Sequence, residues 1–361
     1  MYDYLIVGCG LYGTVFANHL KSLGKKVLII DKRNHIAGNC YTENINDINI
    51  HKYGPHIFHT SNKKIWDFVN RFASFNHYVN RPKVMYRDNL YSFPINLFTL
   101  YQVWGVSSPE EAKRILNEKK IPCDNPGNLE EWILSQVGKE IYEIFIKGYT
   151  TKQWGKDPRE LPADIIKRLP IRLNFDDNYF NDIYQGIPIG GYTEMFEAML
   201  EGIDIALEED YFSNRDLWDS KAKKIIYTGR VDEFFDLKYG ELEYRGLRFD
   251  HQEIKTENYQ GNAIINYTEK EVPFTRIIEH KHFEFGKQNN TVITKEYPDN
   301  WDPSKTPYYP INTDINNEKF YKYKKLTNIS NKYIFGGRLA EYKYYDMHQV
   351  IGSAMNKFYN L

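Results

Sequence analysis

The chain has 361 residues, a formal net charge of −1 and three widely spaced cysteines, which is room for roughly two or three domains. The charge balance leaves no electrostatic footprint for nucleic acid or an anionic membrane, Cys9, Cys40 and Cys123 make no disulfide framework, and no apolar run is long enough to span a bilayer. No basic-then-apolar leader precedes the first apolar run, so the expectation is a soluble cytoplasmic protein with no nucleic-acid or membrane partner.

Taken in chain order, residues 4–7 form a short apolar run, followed by Gly8-Cys-Gly10-Leu-Tyr-Gly13, a helix-compatible stretch to Leu23, and a second apolar run ending in Asp31. Strand, glycine turn, helix, strand and acid in that order form the layout that cradles a dinucleotide, with the helix N-terminus facing the pyrophosphate and the acid at the ribose. Residues 45–59 are β- and turn-rich, residues 63–72 carry helical spacing, and residues 78–95 read as short strands about the turn signal Asp88-Asn89. Residues 97–167 are helical patterns broken by prolines. Ser108-Pro-Glu-Glu111 is a helix start, with Ser as N-cap and acids in the first turn. Gly190-Gly-Tyr-Thr193 opens a helix over 194–200. Residues 223–229 return to a buried strand closed by Gly229. Residues 263–267 and 275–285 alternate as antiparallel strands. A last strand, 332–335, runs into Gly336-Gly-Arg338 and a helix over about 347–358.

The expected fold class is therefore α/β: a Rossmann-like FAD-binding domain (1–77, 186–240 and 314–361) with a helical insertion (97–180) and an antiparallel β-sheet substrate domain (78–96 and 241–313). FAD is favoured over NAD(P) because a basic-plus-glycine segment, Lys32 to Gly38-Asn39, follows the second strand. The strand ends at Gly229 and Gly336-Gly-Arg338 also resemble those of two-domain FAD proteins, whose last helix N-terminus faces the flavin pyrimidine edge.

More specific motifs follow. Gly54-Pro-His-Ile-Phe-His59, Lys147-Gly-Tyr-Thr150, Lys152-Gln-Trp-Gly155, Ile166-Lys-Arg-Leu-Pro170, Tyr184-Gln-Gly-Ile-Pro188, Thr275-Arg-Ile-Ile-Glu-His-Lys-His-Phe283, Pro307-Tyr-Tyr-Pro310 and the run from Gly336 to Met347 resemble, in order and over nearly the whole length, the bacterial UDP-galactopyranose mutases. The resemblance implies a homodimeric isomerase that needs reduced FAD. It would interconvert UDP-galactopyranose and UDP-galactofuranose without net redox change, through a covalent flavin N5–sugar adduct, and supply galactofuranose for cell-surface glycans. The alternatives are the same ring contraction on UDP-N-acetylgalactosamine and, ranked behind it, an amine-oxidase-like flavin oxidoreductase.

The resemblance also implies the site. Arg168 and Arg276 would hold the diphosphate, which needs cations most as charge grows on the leaving oxygen. Their blander readings are a solvated helix-end charge and an exposed strand charge. Phe145 and Tyr179 would sandwich the uracil. Tyr149, Thr150, Tyr309, Tyr344, Asn80, Arg245 and Asn266 would line the nucleotide, and Trp154 would belong to a mobile lid hinged at Gly148 and Gly155. His56 and His59 would sit near flavin and sugar, His59 leaning the choice towards galactose. Spacing alone makes no metal site of them, and none is expected. Gly8, Gly10, Gly13, Asp31, Lys32, Gly38, Asn39, Gly229, Arg338, Asp346 and Met347 would hold the cofactor. Ala37 stands where relatives often carry glycine.

Overall fold

Apolar runs buried on both faces build a parallel sheet in the order Tyr333–Phe335, Ala222–Tyr227, Tyr2–Val7, Val27–Asp31, Asp204–Leu207. Leu5, Ile6, Ile29, Ile30, Ile225 and Ile226 are wholly inaccessible, which is why these strands read as continuous hydrophobic stretches rather than alternating ones. The edge strand Asp204–Leu207 is short and its first two residues are exposed, so it lacks the buried apolar run that marks the others. The computed structural model describes residues 1–167, 169–328 and 330–361. The chain divides into two compact units, Met1–His77 with Asp182–Tyr244 and Pro307–Leu361, and Tyr78–Asn181 with Arg245–Thr306.

In the first unit the helices Leu11–Ser22, Tyr192–Leu200 and Met347–Tyr359 pack around one core that includes Val15, Phe16, Phe196, Met199 and Ile351. Helix Asp314–Leu326 was not expected from the sequence. It is Lys- and Asn-rich and buries only Asn316 and Tyr323, so it lacks the apolar stripe that announces a helix. A hairpin pairs Thr42–Ile45 with Ile48–His51 through Asn46 and Asp47, both left-handed, the geometry a two-residue hairpin turn demands. Phe58–Thr60 pairs antiparallel with Tyr184–Gly186, setting His59 opposite Gln185.

The second unit carries an antiparallel ladder in the order Tyr244–Ile254, Thr291–Asn300, Arg276–Glu279, Ile264–Tyr267, joined in parallel to Lys83–Tyr86 and its hairpin partner Asn89–Ser92. The expected single strand over 275–285 stops at Glu279 and becomes a 3₁₀ turn, His280–Glu284, ended by left-handed Phe285. The turn lets His282 reach back to the buried Glu279 carboxylate at 3.0 Å. The helical block falls in this same unit. Its helices Leu97–Trp104, Pro109–Lys119 and Leu129–Ile141 close on Leu100, Ala112, Ile133 and Ile141. Ser108 caps the second of these, accepting from the Glu111 N–H at 3.2 Å. Among the described residues no helix is long and apolar enough to cross a membrane.

Candidate functional site

The first unit's candidate cradle is made of main chain. Gly8 lies at φ +109, where a side chain would be strained and its Cβ would meet Thr228 Oγ1 at 2.1 Å. A Cβ on Gly13 would sit 2.1 Å from the Gly8 carbonyl oxygen, and one on Gly38 would sit 2.9 Å from Gly10 Cα. Strand end, helix start and the segment after the second strand thus close on one another with no room for side chains. The helix Leu11–Ser22 has no side-chain cap at Gly10, so its first N–H groups are available to an anion. These features fit a dinucleotide pyrophosphate.

Asp31 braces this loop. Its carboxylate accepts from the Cys9 N–H at 2.7 Å and the Arg33 N–H at 2.9 Å, and keeps lone-pair capacity for a ribose hydroxyl. Lys32 is exposed beside it, and Arg33 donates to Asn39 Oδ1 at 2.9 Å. Ala37 is fully buried at φ +69, a left-handed conformation that costs a non-glycine residue about 1–2 kcal/mol. Tyr12, inside the glycine loop, lies against Gly336 and Gly337, whose missing side chains admit its ring. Gly229 likewise makes way for the Tyr227 ring. Arg338 donates to the Tyr345 carbonyl and stands 5.1 Å over the Tyr344 ring, which lies 5.6 Å from Tyr309. Asp346 begins the last helix, its N–H donating to Gln349 Oε1 at 2.9 Å, and the Met347 sulfur lies 3.8 Å from Cys40 Sγ.

The two histidines of the Gly54–His59 motif separate in role. His56 donates from Nδ1 to the Gly54 carbonyl at 2.8 Å and from its backbone N–H to His51 Nδ1 at 3.0 Å. Burial pushes His56 down to about 4 and His51 to about 3. His56 is therefore neutral at physiological pH and ties its own loop, a structural job the sequence reading did not foresee. His59 donates from Nδ1 to Asp182 at 2.6 Å, its Nε2 lies 4.0 Å from Asp346 Oδ2, and its ring meets His348 edge-on at 4.8 Å. His59, Asp346 and His348 bring ligand-type atoms within 4.8 Å of one another, a grouping no spacing motif announces. Burial, and then the neighbouring His59, push His348 below the usual imidazole range, against the pull of Asp346 and Asp182. Asp182 and His348 were both missed from sequence, because strand pairing brings the one and the packing of helix Met347–Tyr359 brings the other to His59, with no local motif announcing either.

In the second unit, Asn266, Arg276 and Glu296 are direct cross-strand partners on adjacent strands, so their side chains share one face. Glu296 is buried and holds Arg276 Nε at 3.2 Å, while Arg276 Nη2 donates to the Tyr149 hydroxyl. Burial raises Tyr149 to about 12, with Arg276 opposing, so the phenol stays protonated. Arg276 retains about a fifth of its exposure at 21%, enough to meet a ligand. Tyr149 and Thr150 lie on helix Gly148–Trp154, which continues a π-helical turn, Tyr142–Lys147, that carries Phe145, a distortion frequent at functional sites.

The expected sandwich of Phe145 and Tyr179 is altered. Phe93, not predicted, lies nearly parallel to Phe145 at 6.2 Å and 10°, and 6.1 Å from Tyr179. Phe145 is buried, leaving Tyr179 as the more open ring. The buried Asn80 accepts from the Tyr179 N–H at 2.8 Å through its carbonyl and so anchors that segment. Arg245 is spent on the end of the Trp154 helix, donating to the Gln153 carbonyl at 2.9 Å, the Lys152 carbonyl at 3.3 Å and Asn300 Oδ1 at 2.7 Å. Gly148 is regular helix pressed on the Thr268 carbonyl, which a Cβ would meet at 2.1 Å. Its missing side chain serves a close approach, while Gly155 ends the helix in the left-handed region at φ +64. Trp154 is half-buried against the helical core. Lys152 anchors the same helix by donating to the carbonyls of Tyr267, Val272 and Phe274 at 2.7–2.9 Å, and burial lowers it to about 8. Arg168 lies outside the described residues.

Comparison with known proteins agrees over the whole length. Residues 144–344 match the UDP-galactopyranose mutase family and residues 6–72 match the NAD(P)-binding Rossmann-like domains. A probable UDP-galactopyranose mutase of Klebsiella pneumoniae is 42% identical over 98% of this chain and 93% of its own length. A dTDP-fucopyranose mutase of Escherichia coli is 38% identical over 98% and 97%. A crystal structure of reduced UDP-galactopyranose mutase shares the fold, at 14% identity and a TM-score of 0.75 over 99% of this chain and 95% of that one.

Proposed function

The chain belongs to the UDP-galactopyranose mutase family, and we propose that it interconverts UDP-galactopyranose and UDP-galactofuranose with reduced FAD, supplying the furanose sugar for cell-surface glycans. The observation that carries the substrate reading is the braced arginine. Arg276 is clamped by the buried Glu296 and by Tyr149, with Asn266 on the same face, yet stays partly exposed. A guanidinium fixed in that way is preorganised for a diphosphate whose charge increases as the glycosidic bond breaks. An oxidoreductase acting on an apolar amine has no use for it.

Gly8, Gly10, Gly13 and Gly38 make the cradle that fits the FAD pyrophosphate, and Asp31 faces its ribose. A reduced flavin, when bound, supplies the nucleophile that displaces the nucleoside diphosphate from the anomeric carbon. By family resemblance, Arg276 and Arg168 would hold the leaving diphosphate, and Tyr149, Tyr309 and Tyr344 would bond its oxygens. Tyr179 and the Phe93–Phe145 pair offer stacking surface to the base, and His59 meets the sugar. The free cysteines, two of them buried, fit a reducing cytoplasm, and a homodimer is the assembly the family resemblance favours.

Incubation of dithionite-reduced protein with UDP-galactofuranose, read by chromatography, should yield UDP-galactopyranose. Flavin-loaded, reduced protein that converts none of it overturns the proposal. The dTDP-fucopyranose mutase relative at 38% identity supports a second reading, in which a deoxysugar on dTDP is the substrate. The same assay with dTDP-fucofuranose separates the two by relative kcat/KM.

A further inference from the structure

We infer that Asp182 is a positioning residue that fixes the ring orientation and tautomer of His59. The inference rests on the reading of His59 as the residue that meets the sugar. Asp182 stands just before strand Tyr184–Gly186, whose pairing with Phe58–Thr60 places His59 opposite Gln185 and Thr60 opposite Tyr184. The ladder therefore brings residue 182 alongside the His59–Ser61 end of its partner strand. Both carboxylate oxygens are then used: Oδ2 takes the His59 Nδ1 hydrogen at 2.6 Å and Oδ1 takes the Ser61 hydroxyl at 2.6 Å. The Asp182 carbonyl also accepts from Gln185 at 3.0 Å, pinning the segment from behind.

An ionised carboxylate only accepts hydrogen bonds, so the shared hydrogen belongs to His59 Nδ1. Burial works against the ionised form of Asp182, but the bonds from His59 and Ser61 outweigh it and hold the carboxyl below its ordinary value. A neutral His59 then carries its proton on Nδ1 and keeps Nε2 as an acceptor, turned to the side where Asp346 Oδ2 lies at 4.0 Å and the His348 ring packs edge-on. Which ring nitrogen bears the proton is set by the bond the other one makes, and here that bond comes from a residue 123 positions away. The Asp182 carboxylate is thus the group that selects the Nδ1–H form.

The test uses the flavin-loaded full chain with ¹⁵N-labelled histidine, His59 being identified by its loss in His59→Asn. Long-range ¹H–¹⁵N spectra of the unsubstituted protein should show neutral His59 as the Nδ1–H tautomer. Asp182→Ala should move it to Nε2–H and lower kcat by on the order of 10- to 100-fold, with KM for UDP-galactofuranose little changed. Asp182→Asn, whose amide oxygen can still accept from Nδ1–H, should restore part of both. The proposal is overturned by an Nε2–H tautomer in the unsubstituted protein, or by a kcat unchanged in both variants. Should Asp182→Ala not fold, the spectrum of the unsubstituted protein and the near-isosteric Asn variant still decide. Absence of turnover in unsubstituted protein with His59 in the Nδ1–H form would count against the mutase reading, whereas the wrong tautomer in active protein would count against Asp182 alone.

Discussion

The two units prepare for their ligands by opposite means. In the first, the cradle is defined by missing side chains: Gly13 and Gly38 let backbone segments approach to distances no Cβ would allow, and Gly8 leaves room for the Thr228 hydroxyl. In the second, the candidate site is built of charged and aromatic side chains, Arg276 braced by the buried Glu296, Tyr149, Asn266, Phe93 and Tyr179, delivered by several strands and a helix. A main-chain site tolerates almost no added volume, because its donors cannot move independently of the fold. A side-chain site tolerates substitution of one member but loses the charge or plane that member supplied. Cofactor retention should therefore be all-or-none in the first unit, and turnover should be graded in the second.

The most severe test of that contrast is Gly13→Ala. A methyl group 2.1 Å from the Gly8 carbonyl forces the turn apart, so the purified variant should lack the visible flavin absorbance. A stoichiometric yellow variant would refute the main-chain account. Next in size is Arg276→Ala, expected to lower kcat/KM by about 10²–10³-fold while the flavin stays bound. Arg276→Lys should fall between, since an ammonium lacks the planar fork. If Arg276→Ala emerges as apo-protein, the arginine serves the cofactor and not the substrate.

A smaller effect concerns stability. Burial disfavours the Glu279 carboxylate, but bonds from His282 and the N–H groups of Tyr259 and Gln260 overcome it and bring the group from 4.5 to about 2. Its folded-state value lies below the unfolded one, so the unfolded chain binds the extra proton in between. The contribution is complete above about pH 5 and is lost as pH falls towards 2, amounting to about 3 kcal/mol. Urea unfolding across that window should show a shallower pH dependence in Glu279→Gln than in the unsubstituted protein; identical slopes would rule the carboxylate out. Smallest is Ala37→Gly, which relieves the left-handed strain but adds freedom to the unfolded chain. The net change should be a stabilisation below about 1 kcal/mol, seen as a slight rise in Tm, with flavin content unchanged. A marked fall would show that the buried methyl matters more than the backbone.

How far each region was legible follows from the same contrast. The turn Gly8–Gly13, the acid Asp31 and the Ser108 cap were readable because each depends on neighbours within a few residues. The motifs carrying Arg276, Tyr149 and His59 were readable by family resemblance, but the work of their neighbours was not. Glu296 clamps Arg276 from the next strand, Phe93 stacks on Phe145 from a hairpin, and Asp182 reaches His59 across a two-stranded ladder. Arg245 and Gly148 were legible as positions, but what each touches was not. One turned out to hold a helix end, and the other to be a point of backbone contact.

By itself, then, the sequence determined the dinucleotide layout, the parallel sheet around it and the family, since local order, buried apolar runs and glycines at a tight turn are properties of contiguous chain. Only the tertiary structure decided which histidine is locked neutral and which is held by a carboxylate, and which arginine is turned to a helix end and which to a buried glutamate and a tyrosine. Those choices depend on strand register and burial, where a shift of one residue reverses the face a side chain occupies and a few ångströms of desolvation change its charge.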